Sequence, residues 1–435
     1  MMDHSHSIAI NDSNELSGTI VIPGDKSITH RSIIMGSLCE GTLKVSNYLD
    51  SEDCNNTIEA MQNLGVDIIK NKDHLLINGK GLNSLKAPKK IINAGNSGTL
   101  ARLLIGVLAM QPFESKIIGD SSLSNRPMQR IIDPLSEMGA NISSINGMLP
   151  IKIIPSEKIS NIKFISKIAS SQLKSAILLA SLYPEGESMI EESIKTRDHT
   201  ENLLKYLNYQ INIEDKTIYL VGQKKMIAKD ISVPSDISSA AFFIVAALIT
   251  NKSDVILKNI GVNHLRTGII DVLLEMGAEI KILNKKTDGF EEFADIQVKS
   301  SQLKPINLKG KITSRLIDEF PILFIACATC KGISRIENIQ ELKFKESNRI
   351  ESMQIGLKKL GISVKTTSDS IEIEGGKIQG GIVDSFQDHR VAMSFLIAGL
   401  VSQKPITVIN TSNINTSFPN FFSTLKEQNI KLYKI

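Results

Sequence analysis

One arrangement of hydrophobic and polar positions recurs along the chain: an amphipathic helix, then a glycine or asparagine, then an alternating strand. Copies read MQNLGVDI at 61, LSEMGANI at 135, LKYLNYQI at 204, LLEMGAEI at 273, LKKLGISV at 357 and LKEQNIKL at 425. Successive copies are 74, 69, 69, 84 and 68 residues apart, counted from the residue before the glycine position. Glycine there suits a left-handed helix C-cap, and asparagine is the usual substitute. The pattern therefore predicts six similar units.

A second series of segments runs in step with the first, one per unit. Each starts with polar residues and continues as an apolar helix: KSITHRSIIMGSL from 26, NSGTLARLLIGVLAM from 96, SSQLKSAILLASL from 170, SDISSAAFFIVAALI from 235, DEFPILFIACA from 318 and DHRVAMSFLIAGLV from 388. A helix that is apolar on every side is a buried helix. Each unit is therefore predicted to hold one buried helix, one amphipathic helix and several short strands, which is an α/β architecture.

The six units divide evenly around Pro234, three before it and three after it, which predicts two similar domains. The best linker candidates are Ile22-Pro23-Gly24 and Val233-Pro234-Ser235, because proline interrupts regular structure. The alternative is one large α/β protein with accidental internal similarity, and six copies in phase weigh against it.

Composition narrows the class of protein. With 42% hydrophobic and 22% charged residues, a chain of 435 residues can bury a core, which excludes disordered and fibrous classes. A net charge of +4 is too small to indicate a nucleic-acid or membrane surface. No apolar run approaches a membrane span, the start MMDHSHSIAI does not resemble a signal peptide, and four cysteines make no disulfide framework. We expect a cytosolic enzyme.

Candidate binding residues gather at the polar starts of the buried helices. A helix N-terminus favours anions, because its free N–H groups carry partial positive charge. These starts include Lys26, Ser27, Arg31, Asn96, Gly98, Thr99, Ser170, Ser171 and Arg390. Serine, threonine and asparagine there usually only cap the helix, but the helix dipole disfavours a cation. The lysine and the arginines therefore indicate a site for a polyanionic ligand.

Other short signals leave the chemistry open. Gly24-Asp-Lys-Ser27 resembles the end of a P-loop without its spacing, and no G-x-G-x-x-G follows a strand. The lone Cys327-Ala-Thr-Cys330 is better explained by packing than by a metal site, and His389 alone is more often packed than catalytic. Asp318-Glu319 either caps a helix or supplies reactive carboxylates. The charged segment 341–349 is either an exposed helix or part of a site.

The chain as a whole resembles the EPSP synthase family. The successive blocks that carry the resemblance are PGDKSITHR, GNSGTLARLL, NRPM, SSQLKSA, TRDHTE, PSDISSAAFF, RTGIIDVLLEMGA, DEFPIL, ELKFKESNRI, DHRVAMS and SFPNFF. They occur in order from about residue 20 to residue 425. The resemblance implies two domains, each of three βαβαββ units around buried parallel helices (an inside-out α/β barrel), with the active site in the cleft between them. It also implies a discontinuous domain of residues 1–23 plus 235–435, and a second domain of residues 24–234.

The same resemblance implies the reaction. Members of the family transfer the enolpyruvyl group of phosphoenolpyruvate to the 5-hydroxyl of shikimate 3-phosphate and release phosphate, through a tetrahedral intermediate. The reaction belongs to the route to chorismate and the aromatic amino acids, and glyphosate inhibits it at the phosphoenolpyruvate site. No metal and no organic cofactor is implied. The expected partners are these two small substrates, with no nucleic acid and no membrane, and the expected state is a monomer.

Site residues follow by resemblance, motif by motif. The set for shikimate 3-phosphate is Lys26, Ser27, Arg31, Ser170, Ser171, Gln172, Arg197, Asp318 and Lys345. The set for phosphoenolpyruvate is Lys26, Gly98, Arg126, Gln172, Arg349 and Arg390, with Asn96 and Thr99 shaping the same loop. Asp318 is similar to the general base on the 5-hydroxyl, and Glu346, with Lys26 nearby, is similar to the proton donor to the methylene carbon.

Departures and rivals qualify the resemblance. Some relatives carry a lysine where this chain has Thr416, so that contact with phosphoenolpyruvate is in doubt. The nearest rival is the enolpyruvyl transferase that acts on UDP-N-acetylglucosamine, whose loop before Arg-Pro holds a reactive cysteine. Here that loop, residues 119–125, has none. A non-catalytic anion-binding protein of the same fold is the alternative from another class.

Overall fold

The structure is a computed structural model, and it describes residues 8–10, 15–430 and 432–434. Residues 1–7 of the start MMDHSHSIAI, on which the signal-peptide prediction rests, lie outside the described residues, and so does Lys431 of the sixth repeat. The α-helices are α1 (Lys26–Ser37), α2 (Glu52–Asn63), α3 (Gly98–Leu108), α4 (Ser121–Ser124), α5 (Gln129–Glu137), α6 (Ser171–Ala180), α7 (His199–Tyr206), α8 (Ile237–Ile249), α9 (Gly268–Glu275), α10 (Phe320–Thr329), α11 (Arg349–Lys359), α12 (His389–Ala398) and α13 (Phe421–Glu427).

The strands are mostly short and fall between these helices. They are β1 (Ile8–Ile10), β2 (Ser17–Ile20), β3 (Glu40–Ser46), β4 (Asp67–Lys70), β5 (His74–Lys80), β6 (Ile92–Asn93), β7 (Ser115–Ile118), β8 (Asn141–Ile145), β9 (Met148–Ile154), β10 (Lys163–Ser166), β11 (Glu187–Glu192), β12 (Ile211–Glu214), β13 (Thr217–Val221), β14 (Ile231–Ser232), β15 (Asp254–Gly261), β16 (Glu279–Asp288), β17 (Glu291–Lys299), β18 (Asn307–Leu308), β19 (Gly332–Ile336), β20 (Ser363–Thr366), β21 (Ile371–Gly375), β22 (Gly381–Asp384), β23 (Ile406–Ile409) and β24 (Leu432–Lys434).

The six predicted helix ends share one backbone feature. The residue at the glycine position has a positive φ in every copy, namely Gly65, Gly139, Asn208, Gly277, Gly361 and Asn429. A left-handed residue stops the helix and lets the chain reverse into the next strand. The predicted repeat is therefore confirmed. Each copy has one apolar buried helix (α1, α3, α6, α8, α10 or α12) and one amphipathic helix after it.

The described chain divides into two compact units. Unit I consists of residues 24–233 with 288–291, and unit II consists of residues up to 23, 234–287 and 292–435. The short segment 288–291 belongs to unit I because Phe290 packs on Tyr206, with ring centroids 5.6 Å apart, and Glu291 binds His199. The assignment of two domains at the boundaries given above stays a prediction.

Unit I contains three four-stranded sheets of the same design. Their strand orders are β14-β3-β5-β4, β6-β7-β9-β8 and β10-β11-β13-β12. In each sheet the first pair is parallel and the other pairs are antiparallel. The first repeat lacks an opening strand of its own, and β14 supplies one by pairing with β3. The end of the unit thereby closes onto its beginning.

Unit II repeats the design and incorporates the two N-terminal strands. Its sheets are β16-β17-β15-β2, β18-β19-β21-β20 and β22-β23-β1-β24. Strand β2 pairs in parallel with β15 and opens the fourth repeat, whereas β1 lies between β23 and β24 and completes the sixth. Both N-terminal strands are therefore structural parts of the second half of the chain.

Each unit has its own hydrophobic core around its three apolar helices. In unit I, helices α3 and α6 approach so closely that a Cβ on Gly106 would lie 2.2 Å from the carbonyl oxygen of Ala176. In unit II, Phe243, Phe418 and Phe421 form a cluster of tilted and edge-on rings beside α8. The Cys327–Cys330 pair lies buried in this second core, in agreement with the packing interpretation. No helix among the described residues is both long enough and apolar enough to cross a membrane.

Candidate active site

The first candidate residues lie at the start of α1. Asp25 ends the preceding loop and caps the helix, since its carboxylate accepts a hydrogen bond from the backbone N–H of Ile28 at 2.8 Å. Gly24 allows the loop to pass close to its neighbour, because a Cβ there would lie 1.9 Å from the carbonyl oxygen of Asn47. Lys26 is thereby fixed in the first turn, and its Nζ lies 3.0 Å from Oδ2 of Asp53. The cation is held beside a carboxylate at a helix N-terminus.

Arg31 lies one turn further along α1 and joins three helices. Its Nη2 donates to Oγ of Ser175 at 2.7 Å on α6, and its Nε donates to Oγ1 of Thr200 at 2.8 Å on α7. Its Nη1 donates to the carbonyl oxygen of Ser27 at 2.9 Å. Arg197 reaches the same place, because its Nη1 lies 3.3 Å from Oγ of Ser27. The structure therefore brings together three residues that the sequence assigned to one ligand.

A second group surrounds the start of α3. Ser97 caps the helix through the backbone N–H of Leu100, and Gly98 follows as the first helical residue. A Cβ on Gly98 would lie 3.0 Å from Nη1 of Arg102 and 3.2 Å from Nη1 of Arg126. Arg126, which is 5% exposed, donates from Nη2 to Oδ1 of Asn96 at 2.9 Å. Two guanidinium groups therefore face a backbone turn that has no side chain in the way.

The start of α6 completes the group in unit I. Ser170 caps this helix and Ser171 is its first residue. Gln172 links α6 to α3, since its Oε1 accepts from Nη1 of Arg102 at 2.6 Å and its Nε2 donates to Oγ1 of Thr99 at 3.0 Å. Polar residues of α1, α3 and α6 thus share one hydrogen-bonded surface within the unit.

One buried histidine lies beneath this surface. His30 has no solvent exposure, and its Nδ1 lies 2.7 Å from Oγ1 of Thr57. Its Nε2 lies 3.4 Å from Oγ of Ser97. Burial, with the nearby cations of Lys26 and Arg31, holds the pKa of His30 well below its ordinary value. His30 is therefore a neutral hydrogen-bonding residue that supports the two helix starts.

Unit II has its own cluster of paired charges. Lys345 Nζ lies 2.9 Å from Oδ1 of Asp318, and Arg349 Nη1 lies 3.6 Å from the same oxygen. Arg349 also binds Glu346 at 2.5 Å through Nη2 and Asp388 at 2.8 Å through Nε. Burial alone would lower the pKa of the Arg349 guanidinium, but Asp388 and Glu346 outweigh burial and raise it. Arg349 is the permanently charged centre of the cluster.

Two further candidates, Arg390 and Thr416, also belong to unit II. Arg390 follows Asp388 in the first turn of α12 and is 7% exposed, and no side-chain partner of its guanidinium lies among the described residues. Thr416 ends a 3₁₀ turn, where its Oγ1 donates to the carbonyl oxygen of Asn413 at 2.8 Å. The hydroxyl of Thr416 therefore stabilises its own turn.

Sequence reasoning missed several charged partners. It did not single out Asp53 beside Lys26, Arg102 beside Gln172, or Asp388 as the partner of Arg349. It also missed a buried network in which Ser238 Oγ donates to Glu319, while Nη2 of Arg266 lies 2.8 Å from that oxygen of Ser238. For most of them the only signal was a charged residue inside a quoted block, whereas Asp53 lies outside every block. Which residues pair depends on the fold, since the partners are 27 to 81 residues apart in the sequence.

The chemistry open to these residues is anion binding combined with proton transfer. Arginine forks and lysines fit phosphate and carboxylate oxygens. Carboxylates such as Asp318 and Glu346 can take or give a proton. No group of histidine, cysteine, aspartate and glutamate side chains that could hold a metal ion occurs among the described residues.

Comparisons with known proteins agree with one another. The family model described as EPSP synthase (3-phosphoshikimate 1-carboxyvinyltransferase) matches residues 10–425. A protein of Legionella pneumophila (strain Lens) named 3-phosphoshikimate 1-carboxyvinyltransferase is 47% identical over 94% of this chain and 95% of its own length. A protein of the same name from Ruthia magnifica is 46% identical over 95% of each chain. A solved EPSP synthase from Acinetobacter baumannii superposes with a TM-score of 0.88, at 42% identity, and covers 99% of this chain and 100% of its own.

Proposed function

This chain belongs to the EPSP synthase family, with its two-domain inside-out α/β fold, and we propose which of its residues carry the family's reaction. The reaction is that of a 3-phosphoshikimate 1-carboxyvinyltransferase in the shikimate pathway. It joins phosphoenolpyruvate to the 5-hydroxyl of shikimate 3-phosphate and releases inorganic phosphate. The fold and the enzyme class predicted from the sequence are thereby confirmed. The residue roles, the monomeric state and the cytoplasmic location stay predictions.

The observation that supports the proposal most strongly is the gathering of cations around helix starts in unit I. Two phosphates and two carboxylates enter the site with the substrates, so the enzyme must supply fixed positive charge. Arg31 and Arg126 are buried, and hydrogen bonds to Thr200 and Asn96 fix the positions of their guanidinium groups. Free N–H groups at the starts of α1, α3 and α6 add to this charge.

Shikimate 3-phosphate is proposed to bind at the starts of α1 and α6. Its phosphate is assigned to Ser170, Ser171 and Lys345, and its ring region to Gln172 and Arg197. Lys26, Ser27 and Arg31 complete the set on α1. The link from Arg197 to Ser27, and from Arg31 to Ser175, supports a single subsite built from these two helices.

Phosphoenolpyruvate is proposed to bind over the start of α3. Gly98 leaves the backbone at this helix start without a side chain next to Arg126, and Gln172 donates a hydrogen bond to Thr99 in the same turn. The family resemblance assigns Arg349 and Arg390 to phosphoenolpyruvate as well. Lys26 is assigned to both substrates.

The chemical step is an addition followed by an elimination. Asp318 takes the proton of the 5-hydroxyl, and the oxygen attacks C2 of phosphoenolpyruvate while Glu346 protonates C3. The tetrahedral intermediate then loses a proton from C3 and phosphate from C2, which leaves the enol ether. The contact of Asp318 with Lys345 supports the role of base, because an adjacent ammonium favours the ionised carboxylate.

The contact between Glu346 and Arg349 has a consequence for the proton donor. Nη2 of Arg349, whose guanidinium is assigned to phosphoenolpyruvate, lies 2.5 Å from Oε2 of Glu346. An anion that binds this guanidinium competes with Glu346 for its positive charge. We expect this competition to favour the protonated carboxyl group that donates to C3.

The rival acceptor, UDP-N-acetylglucosamine, has no support among the relatives compared above. The enzyme that uses this acceptor carries a reactive cysteine. No described residue of this chain is a counterpart, because all four cysteines of this chain are buried. Burial raises the pKa of Cys39 to about 12 and that of Cys327 to about 12, so neither is a thiolate at neutral pH.

The proposal is tested by the initial rate of phosphate release from phosphoenolpyruvate with each acceptor in turn. Release is expected with shikimate 3-phosphate and not with UDP-N-acetylglucosamine or without acceptor. Release with the nucleotide sugar would favour the rival. No release with either acceptor, while shikimate 3-phosphate still binds in calorimetry, would favour a non-catalytic anion-binding protein.

A further inference from the structure

A buried cluster of three charges in unit I has no part in the mechanism above. Lys174, on α6, is 3% exposed, and its Nζ lies 2.6 Å from Oε1 of Glu201 and 2.9 Å from Oε2 of Glu192. Both carboxylates are buried as well. None of the three residues was assigned to a substrate. We call Lys174, Glu192 and Glu201 the buried triad.

The buried triad connects α6, whose start carries part of the proposed shikimate phosphate subsite, with β11 and α7, the two elements that flank the turn holding Arg197. Glu192 ends β11 and Glu201 lies on α7, whereas Lys174 lies two residues after Gln172 on α6. Lys174 Nζ also donates to the carbonyl oxygen of Thr196 at 3.3 Å. Glu192 Oε1 accepts from the backbone N–H of Thr196 at 3.1 Å and from its hydroxyl at 2.5 Å. The turn immediately before Arg197 is therefore held from both sides.

A second layer of contacts runs parallel to the triad. Ser175 follows Lys174, and Thr200 precedes Glu201, and their hydroxyl oxygens lie 2.7 Å apart. Both hydroxyl oxygens accept hydrogen bonds from Arg31. A shift of α6 against α7 would therefore displace Arg31 as well as Arg197.

Stability alone does not explain such a cluster. Removing three charges from water costs several kcal/mol per ion, and well-packed apolar residues usually replace a buried ion pair without loss. The residues of α6 after Ser175 are apolar and pack into the core without such charges. A fully connected buried polar network fixes one arrangement of its elements, which apolar contacts do less well.

The charge states suit this role. Burial lowers the pKa of Lys174, but Glu201 and Glu192 outweigh burial and raise it, so Lys174 stays charged. Burial raises the pKa of Glu201, whose Oε2 has no hydrogen-bond partner among the described residues. Lys174 is therefore the essential member that both carboxylates require.

We infer that Lys174 is a positioning residue for shikimate 3-phosphate: it holds the turn before Arg197 against the start of α6, and it does not contact the substrate. The inference rests on the proposed function. It extends that function by naming a residue whose loss weakens binding of one substrate at a distance. Phosphoenolpyruvate, assigned mainly to the start of α3, should be affected much less.

The test compares three variants of the full chain. Lys174→Met removes the cation and leaves two carboxylates buried, so it also destabilises the fold. Lys174→Met/Glu201→Gln removes one charge of each sign and keeps the net charge of the triad, so it is the variant expected to fold. Lys195→Met is the matched control, because it breaks an exposed ion pair with Asp215 in the same segment.

Calorimetry gives the Kd for shikimate 3-phosphate, and steady-state kinetics give KM for phosphoenolpyruvate at saturating acceptor. The double variant should raise the Kd by about tenfold or more, as losing a residue that orients a binding group typically does. KM for phosphoenolpyruvate should change less than about threefold, and Lys195→Met should match the wild type.

The outcomes separate the inference from the proposed function. If the double variant melts at a lower temperature but binds shikimate 3-phosphate as tightly as Lys195→Met, the triad is structural and the inference is wrong. Equal losses for both substrates would also overturn it. If the wild type itself neither binds shikimate 3-phosphate nor releases phosphate, the proposed function fails first.

Discussion

Asp318 is the residue on which the proposed chemistry depends most. Asp318→Asn keeps the shape and removes the proton acceptor, so kcat should fall by about 10²–10⁴-fold. Binding of shikimate 3-phosphate should change little, since Lys345 and the helix starts of unit I remain. Steady-state kinetics and calorimetry measure the two effects separately.

Asp271→Asn is the control for this variant. Asp271 forms an ion pair at 2.8 Å with Arg315 in the same unit and is half exposed. This variant should keep kcat within about twofold, because exposed ion pairs contribute little. Near-normal turnover by Asp318→Asn would refute its role as the base.

Gly98 sets the space available over the start of α3. A methyl group there would lie 3.0 Å from Nη1 of Arg102 and 3.2 Å from Nη1 of Arg126, so both guanidinium groups would have to move by a few tenths of an ångström. A small substrate tolerates that change better than a longer inhibitor of the same subsite. We expect the wild type to be inhibited by glyphosate, and Gly98→Ala to raise the inhibition constant far more than KM for phosphoenolpyruvate. Equal increases in the two constants would show that the space at Gly98 is not limiting.

At this scale, the sequence indicated the helix-start residues but not their partners. Lys26 and Arg31 stood out because a helix N-terminus disfavours cations. Lys174 did not stand out in the sequence. Its two partners are 18 and 27 residues away, and nothing in the sequence distinguishes them from the many other glutamates. Only the packing of α6 against β11 and α7 selects Glu192 and Glu201.

The close approach of α3 and α6 is the main prediction at the scale of elements. Gly106→Ala would place a Cβ 2.2 Å from the backbone of Ala176, so the helices must separate. Such overpacking costs about 1–3 kcal/mol or more in the free energy of unfolding. Urea denaturation measures the loss of unfolding free energy. The KM values for the two substrates should rise too, because Gln172, which is assigned to both, lies on the displaced helix.

Gly376→Ala is the matched control, since a Cβ there meets nothing within 4 Å and the backbone needs no positive φ. It should be neutral or stabilising by less than about 1 kcal/mol. A Gly106→Ala protein as stable as this control would mean that α3 and α6 do not pack as closely as described.

The six repeats were predictable because two periodic signals coincide. Asn208 and Asn429 occupy the positive-φ position in two copies. Asparagine is the usual substitute for glycine at a left-handed helix C-cap, so these two copies were predictable as well. The exchange of strands was harder to foresee. Strand β14 has two residues, and β1 and β2 lie far from the repeats that they complete. Pairing partners so distant in sequence leave no periodic signal.

His30 links the site to the stability of the whole molecule. In the folded protein, burial and nearby cations keep this histidine neutral, whereas in the unfolded chain it takes a proton near pH 6.5. The unfolded state therefore binds more protons as pH falls below about 6.5, and stability falls with it. His30→Gln should remove up to about 1.4 kcal/mol per pH unit of this acid sensitivity.

Urea denaturation at neutral and at mildly acidic pH measures this difference. His264→Gln is the control, because it makes the same substitution at an exposed histidine. If His30→Gln and the wild type lose stability equally on acidification, His30 is not the buried neutral group described here.

Enolpyruvyl transfer by addition and elimination can be followed in a single reaction in deuterated water by ³¹P and ¹H nuclear magnetic resonance, with both substrates present. We expect one inorganic phosphate for each phosphoenolpyruvate consumed, a retained 3-phosphate, and deuterium in the methylene group of the enol ether product. Phosphate without a new enol ether, or a product whose methylene group never acquires deuterium, would contradict it.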